Sequence, residues 1–137
     1  MTPPIRVFLS AAGRDQEAVA RLGDALAQIG IEARTDADIA AGADWGDHLR
    51  AAMESADAVV CLFTPAALSS AYVMSEVGAA IAAGKLVIPV VTASKGLPSG
   101  LPAPLRNWQF IRSANRDVRE VAAEIRERLV QLPATAA

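Results

Sequence analysis

Among its 137 residues the chain has a single cysteine, Cys61, and a single histidine, His48. One cysteine excludes an internal disulfide, and one residue of each type leaves a structural zinc site without its donors. Cys61 lies in the run "VVCLF" and reads as a small buried hydrophobe. Ser-His-Asp or Cys-His catalysis would have to use His48, whose setting, "DWGDHLRAAME", has the polar pattern of an exposed helix face. Basic excess is missing too: Lys and Arg number 13 against 15 Asp and Glu, and no basic cluster offers itself to a nucleic acid. No apolar run approaches the roughly 18 residues of a membrane span. The start "MTPPIRVFLS" lacks the charged segment and long apolar stretch of a secretion signal, so a cytoplasmic location is expected. The phosphate-cradling glycine loops GxGxxG and GxxxxGK are absent, "SAAGRD" having one glycine after the first apolar run. A phosphoacceptor receiver would need acidic residues where this chain has Leu9, Ser10 and Thr64.

What the chain does have is 53% hydrophobic and 20% charged residues, the balance of a globular domain with a substantial core. Five short apolar runs alternate with helix-length segments, the pattern of a parallel α/β sheet covered on both faces. The runs are "IRVFLS", "IEARTD", "AVVCLFT", "KLVIPVV" and a short one around "WQFIR". Helices are predicted from about Asp15 to Ile29, Asp44 to Ser55, Ser69 or Ser70 to Gly84, and Asn115 to Leu132. Their core-facing residues are predicted as Val19, Leu22, Leu26 and Ile29 in the first, Leu49 and Met53 in the second, and Val118, Val121, Ile125 and Leu129 in the last. "AVVCLFT", the most continuously apolar run, should lie centrally, and the short polar "IEARTD" at an edge. Pro89 cannot donate a ladder hydrogen bond and implies a bulge or limited pairing in the fourth strand. The fold expected is a flavodoxin-like three-layer sandwich with a five-stranded parallel sheet in the order 2-1-3-4-5. The domain is expected over 1–132, with 133–137 a flexible tail or the start of a linker.

Open parallel sheets bind ligands beyond the carboxyl ends of their strands, where strand order reverses. With strands one and three neighbours there, the crevice lies between the loops after Ser10 and after Thr64. The helix that follows, "SSAYVMSEVGAAIAAG", carries one carboxylate, Glu76, in an otherwise small and apolar setting. At about 100° per residue, Val73, Val77, Ala80 and Ile81 form its apolar stripe. Tyr72 and Glu76, four apart, stack on the shoulder of that stripe. Spacing alone leaves two readings open: a solvated boundary glutamate, or a carboxylate aimed at the crevice.

Over nearly its whole length the chain resembles a Toll/interleukin-1 receptor (TIR) domain. "RVFLSAAGRD" resembles the family's first strand and loop. "TDADIAAGADWGDHLRAAMESADAVVCLFTPAALSS" resembles the second strand, the mobile loop, the helix led by a tryptophan, and the third strand. "AYVMSEVGAAIAAGKLVIPVV" resembles the segment in which the catalytic members carry an aromatic residue four before a glutamate. The family contains both NAD-cleaving enzymes and non-catalytic assembly adaptors.

The resemblance to the bacterial enzymatic kind implies that Glu76 is catalytic and that Tyr72 stands where tryptophan is usual. It places Ser10, Arg14, Asp38 and Trp45 among the residues shaping the substrate pocket, with NAD+ as substrate and no cofactor or metal. It further implies activation by assembly with other TIR domains, with Gly42 freeing the loop, and a fused or separate sensor in an immune, antiphage or toxin-like system. A lone carboxylate suits this chemistry. Nicotinamide leaves NAD+ as a neutral ring without protonation, so the second carboxyl group of ordinary glycosidases is unnecessary. One preorganised carboxylate can stabilise the oxocarbenium-like ribose, which water or a nucleophile within ADP-ribose then captures. The alternatives are a non-catalytic adaptor and, more distantly, a nucleoside-processing transferase of similar topology.

Overall fold

A computed structural model of the chain describes residues 4–35, 45–96, 98, 100–101 and 110–131, with the backbone alone for 45–49. Asp36, Asp38, Gly42, Asp44, Trp108 and the tail 133–137 lie outside the described residues, as do the side chains of Trp45, His48 and Leu49. The strands are β1 (Ile5–Ser10), β2 (Ile31–Thr35), β3 (Ala58–Phe63), β4 (Leu86–Val91) and β5 (Ile111–Arg112). The helices are α1 (Gln16–Gln28), α2 (Trp45–Ser55), α3 (Pro65–Leu68), α4 (Ala71–Ala82) and α5 (Val118–Val130). All strand pairs are parallel, as the alternating pattern predicted, and the order is the expected β2-β1-β3-β4-β5.

Every residue of β3 is buried, because apolar side chains on both faces suit a strand covered by helices above and below. At the edge, β2 carries Glu32 between Arg6 and Arg34, at 3.2 and 3.4 Å, an exposed charge ladder that discourages pairing with another chain. Pro89 causes no bulge against β3, where it is in continuous register opposite Cys61, and the β4–β5 ladder begins one residue later, at Val90. Among the described residues no helix is long and apolar enough to cross a membrane.

Strand alternation divides the core in two. Val7, Leu9, Val60, Leu62 and Val90 pack against α1 and α5, while Phe8, Val59, Cys61, Phe63 and Val91 lie on the face covered by α4 and Met53 of α2. The predicted helical stripes are buried at Val19, Leu22 and Leu26 and at Val121, Ile125 and Leu129. Val118 is only partly buried, and Ile29 is 37% exposed. Ile29 escapes the stripe because α1 ends at Gln28 and Gly30, with φ 85°, turns the chain toward β2.

The helix carrying Glu76 is bounded by local chemistry. Ser70 accepts a hydrogen bond from the Val73 amide at 3.2 Å, capping the first turn. At the other end Gly84 has φ 73°, and the amides of Gly84 and Lys85 bond to the carbonyls of Ile81 and Ala80. This is a Schellman closure, which a residue with a Cβ adopts at a cost. Ser70→Ala is expected to cost about 1 kcal/mol, read as a lower urea midpoint at unchanged slope; an unchanged midpoint would mean that the cap contributes nothing.

Candidate functional site

Ser10 is the last residue of β1, the strand with β2 on one side and β3 on the other. The strand order reverses there, and this is where open α/β sheets place their ligands. Ser10 is in register with Cys61 of β3, and alternation sends both side chains toward α4. From that helix Glu76 reaches down, so that Ser10 Oγ donates to Glu76 Oε1 at 2.7 Å. Ser10 is 1% exposed and Glu76 3%, and these two are the buried polar residues among those described. Glu76 therefore belongs to the buried face of α4 with Val73, Val77 and Ala80, which removes the solvated-boundary reading.

Tyr72 lies one turn before Glu76, half-buried, with its hydroxyl oxygen and Glu76 Oε2 both shielded from solvent. Burial pushes the Cys61 thiol well above its ordinary value; the nearby Glu76 carboxylate adds to the shift, and the neighbouring Ser10 hydroxyl opposes it. Cys61 is thus a protonated, fully buried thiol, as its apolar run implied, but it is also a neighbour of the carboxylate. Sequence reasoning missed that link. The signal was available in the strand ends, since pairing the first and third runs sets Ser10 beside Cys61.

Arg14 is exposed in the 3-10 turn after β1, Gly13–Asp15. Trp45 opens α2. Asp38 and the Trp45 side chain fall outside the described residues; of the other predicted site residues, the structure joins Ser10 to Glu76 by a hydrogen bond and sets Tyr72 one helical turn before Glu76. A second feature that the sequence reading passed over is α3, started by Thr64 and Pro65. Thr64 Oγ1 accepts from the Ala67 amide and donates to Asp15, tying the loop after β3 to the turn after β1. These two loops wall the crevice.

A cavity of about 410 Å³ opens on the opposite face of the sheet, between α1 and α5. Its floor is Leu62 and Val90, with Thr64, Thr92 and Ser113 at the strand ends and Arg21 at the rim. Glu76 does not line it, so it is separate from the buried carboxylate.

The family model described as "TIR domain" matches residues 7–130, almost the whole chain. The chain belongs to the TIR domain family. This TIR domain is similar in fold to the TIR domain of a Toll-related receptor from Hydra magnipapillata, with a TM-score of 0.74 at 18% identity over 92% of this chain and 98% of that one. It is also similar to the TIR domains of the activated Roq1 resistosome, with a TM-score of 0.57 at 21% identity, covering 93% of this chain and 74% of the other. A CMP N-glycosidase from Clostridium botulinum, BcmB, shares the fold with a TM-score of 0.60 at 17% identity, over 88% and 98% of the two chains. No protein of curated function matches this TIR domain in sequence.

Proposed function

We propose that this TIR domain cleaves NAD+ at the bond between ribose and nicotinamide, with Glu76 as the catalytic carboxylate. The observation that carries the reading is the burial of Glu76 at the sheet's switch point, held by Ser10 at 2.7 Å. Removing a carboxylate from water costs several kcal/mol, and an apolar residue would serve a helix face better. A domain that only assembles has no use for the group, whereas a glycosidic cleavage does. A neighbour described as an N-glycosidase has the same fold, and its name describes breakage of the same kind of sugar–nitrogen bond.

In the proposed reaction the bond from C1′ to the nicotinamide nitrogen breaks, and its electron pair leaves with the ring. That pair neutralises the ring's positive charge, so no acid is required. Positive charge develops instead on the ribose, where the Glu76 carboxylate stabilises it in surroundings that screen poorly. Tyr72, one turn away, packs against the ribose or the departing ring. Water adds to C1′ and gives up a proton to yield ADP-ribose; addition of a nucleophile from the adenosine half would yield a cyclic product.

The buried carboxylate requires an opening movement before substrate reaches it. Assembly with other copies, as the word resistosome denotes for Roq1, provides the trigger in this reading. The protein would then act in the cytoplasm of a bacterial cell, within an antiphage or toxin-like signalling system in which a fused or separate sensor clusters the domains.

The test is to cluster the full chain on an oligomeric carrier, incubate it with NAD+ and separate the products by chromatography. Nicotinamide together with ADP-ribose or a cyclic isomer is the expected outcome. Ordered assemblies that never release nicotinamide would establish the adaptor reading in its place.

A further inference from the structure

The cavity between α1 and α5 takes no part in the site around Glu76. Its volume of about 410 Å³ lies within the range of cavities that hold small molecules. Its lining follows from strand register. Phe63 pairs with Val91 and Val91 with Arg112, so the next residues, Thr64, Thr92 and Ser113, form one row across the ends of three parallel strands. Alternation turns that row to the same face as Leu62, Val90 and Ile111, which pack with α1 and α5. An apolar floor is thereby edged by a row of half-buried hydroxyl residues, all of which line the cavity.

The polar groups around the cavity differ in what already occupies them. Thr64 is committed, donating to Asp15 and accepting from the Ala67 amide. The Thr92 and Ser113 hydroxyls reach only the carbonyls of Phe63 and Val91, both at 3.4 Å. Those carbonyls already accept the amides of the same two residues, and good hydroxyl bonds are shorter, at about 2.5–3.0 Å. These two protons are therefore poorly used. Arg21, exposed on α1, also lines the cavity, and its side chain has no hydrogen bond or ion pair among the described residues. The other charged lining groups are paired. Arg116 meets Glu124 at 2.7 Å and Glu120 at 3.7 Å, and the Asp117 carboxylate takes the Arg119 amide at 2.8 Å and its guanidinium at 3.2 Å. What remains is one uncompensated positive charge, two available hydroxyl donors and an apolar floor.

We propose that this cavity binds a small phosphate monoester, with the phosphate held by Arg21, Thr92 and Ser113 and an apolar or planar body lying on Leu22, Leu62 and Val90. The site does not depend on the role given to Glu76. Donor directions favour phosphate over carboxylate. The hydroxyls come from the sheet and the guanidinium from the helix packed over it; a tetrahedral dianion offers oxygens to both, whereas the two oxygens of a carboxylate share one plane. The floor favours an ester over the free ion, because only a body laid on it removes that apolar surface from water.

The test is a titration of phenyl phosphate into the ¹⁵N-labelled full chain. Saturable shifts should centre on the amides of Thr64, Thr92 and Ser113, with a Kd of about 1 mM or below, the scale of a fragment-sized ligand. Inorganic phosphate lacks the body and benzyl alcohol lacks the charge, so each should bind at least about fivefold more weakly. Equal binding of either would overturn the proposed ligand class, as would benzoate binding more tightly than phenyl phosphate. Arg21→Gln should weaken phenyl phosphate roughly tenfold and Arg21→Lys only about two- to threefold, because lysine keeps the charge and loses the fork. The Thr92→Val, Ser113→Ala double variant should lose roughly three- to tenfold. Ala18, exposed on α1 and lining the cavity, gives an independent check: Ala18→Phe puts a ring into the space and should abolish the shifts. Neither α1 position is buried, so an unchanged melting temperature is expected for both and verifies the fold. Undiminished binding by Ala18→Phe or Arg21→Gln would overturn the site. So would shifts centred on Ser10, Tyr72 and Glu76, or no saturable shift at millimolar probe.

Discussion

Glu76→Gln is expected to reduce nicotinamide release by clustered protein roughly 100- to 1000-fold, the scale on which a single preorganised electrostatic group acts. The substitution is nearly isosteric. The amide oxygen still accepts the Ser10 proton, so the contact between β1 and α4 survives. What disappears is the negative charge that the proposed reaction sets against a developing ribose cation. Burial makes the same change favourable to folding, because a buried charge is replaced by a neutral amide. The expected signature is therefore a pair of opposite effects: activity falls while the melting temperature holds or rises, as at other sites where function is kept against stability. Cleavage at the unmodified rate would dismiss Glu76 from the chemistry. Lost activity with a lowered melting temperature would point instead to a damaged fold.

Phe8→Ala should bring the largest loss of stability of the substitutions considered. Phe8 is fully buried on the α4 side of β1, two residues before Ser10, where it packs in the cluster containing Val59, Phe63 and Val77. Truncating a buried phenylalanine removes its transfer free energy and leaves a cavity that a sheet strand cannot collapse to fill. The cost is about 3–5 kcal/mol, equivalent to a melting temperature lower by roughly 10–20 °C for a domain of this size. Chemical denaturation with an unchanged slope would check it. A loss under about 1 kcal/mol would mean that the α4 layer repacks freely, which is incompatible with a rigidly placed Glu76.

Most of the architecture was legible because it follows from local patterns. "AVVCLF" has no polar residue to face water, so β3 had to be central; "IEART" has three and took an edge. Capping chemistry marked the bounds of α4 through Ser70 and Gly84. The errors arose where a local pattern continued past a backbone event. Ile29 continued the α1 stripe on paper, but the helix had already ended. The third strand does end just before Thr64, but a hydroxyl followed by proline also starts a helix, and α3 was missed for that reason.

The site divides in the same way. Helical periodicity placed Tyr72 and Glu76 one turn apart at the edge of an apolar stripe, and the family resemblance gave the glutamate a chemical role. Neither determined whether that edge met solvent. The helix's own residues do not decide its exposure, because the shoulder of α4 is covered by the end of β1, a segment 66 positions away from Glu76. Strand alternation and parallel register bring Ser10 and Cys61 onto one face, and only the docking of α4 over that face turns a boundary glutamate into a buried, hydrogen-bonded carboxylate. The sequence by itself determined the five strands, the four long helices and the place of Glu76 beside an apolar stripe, because periodicity and end-capping act over a few residues. The tertiary structure alone decided that Glu76 is desolvated and that a serine and a thiol stand beneath it, because burial and hydrogen bonding between layers depend on how distant faces meet.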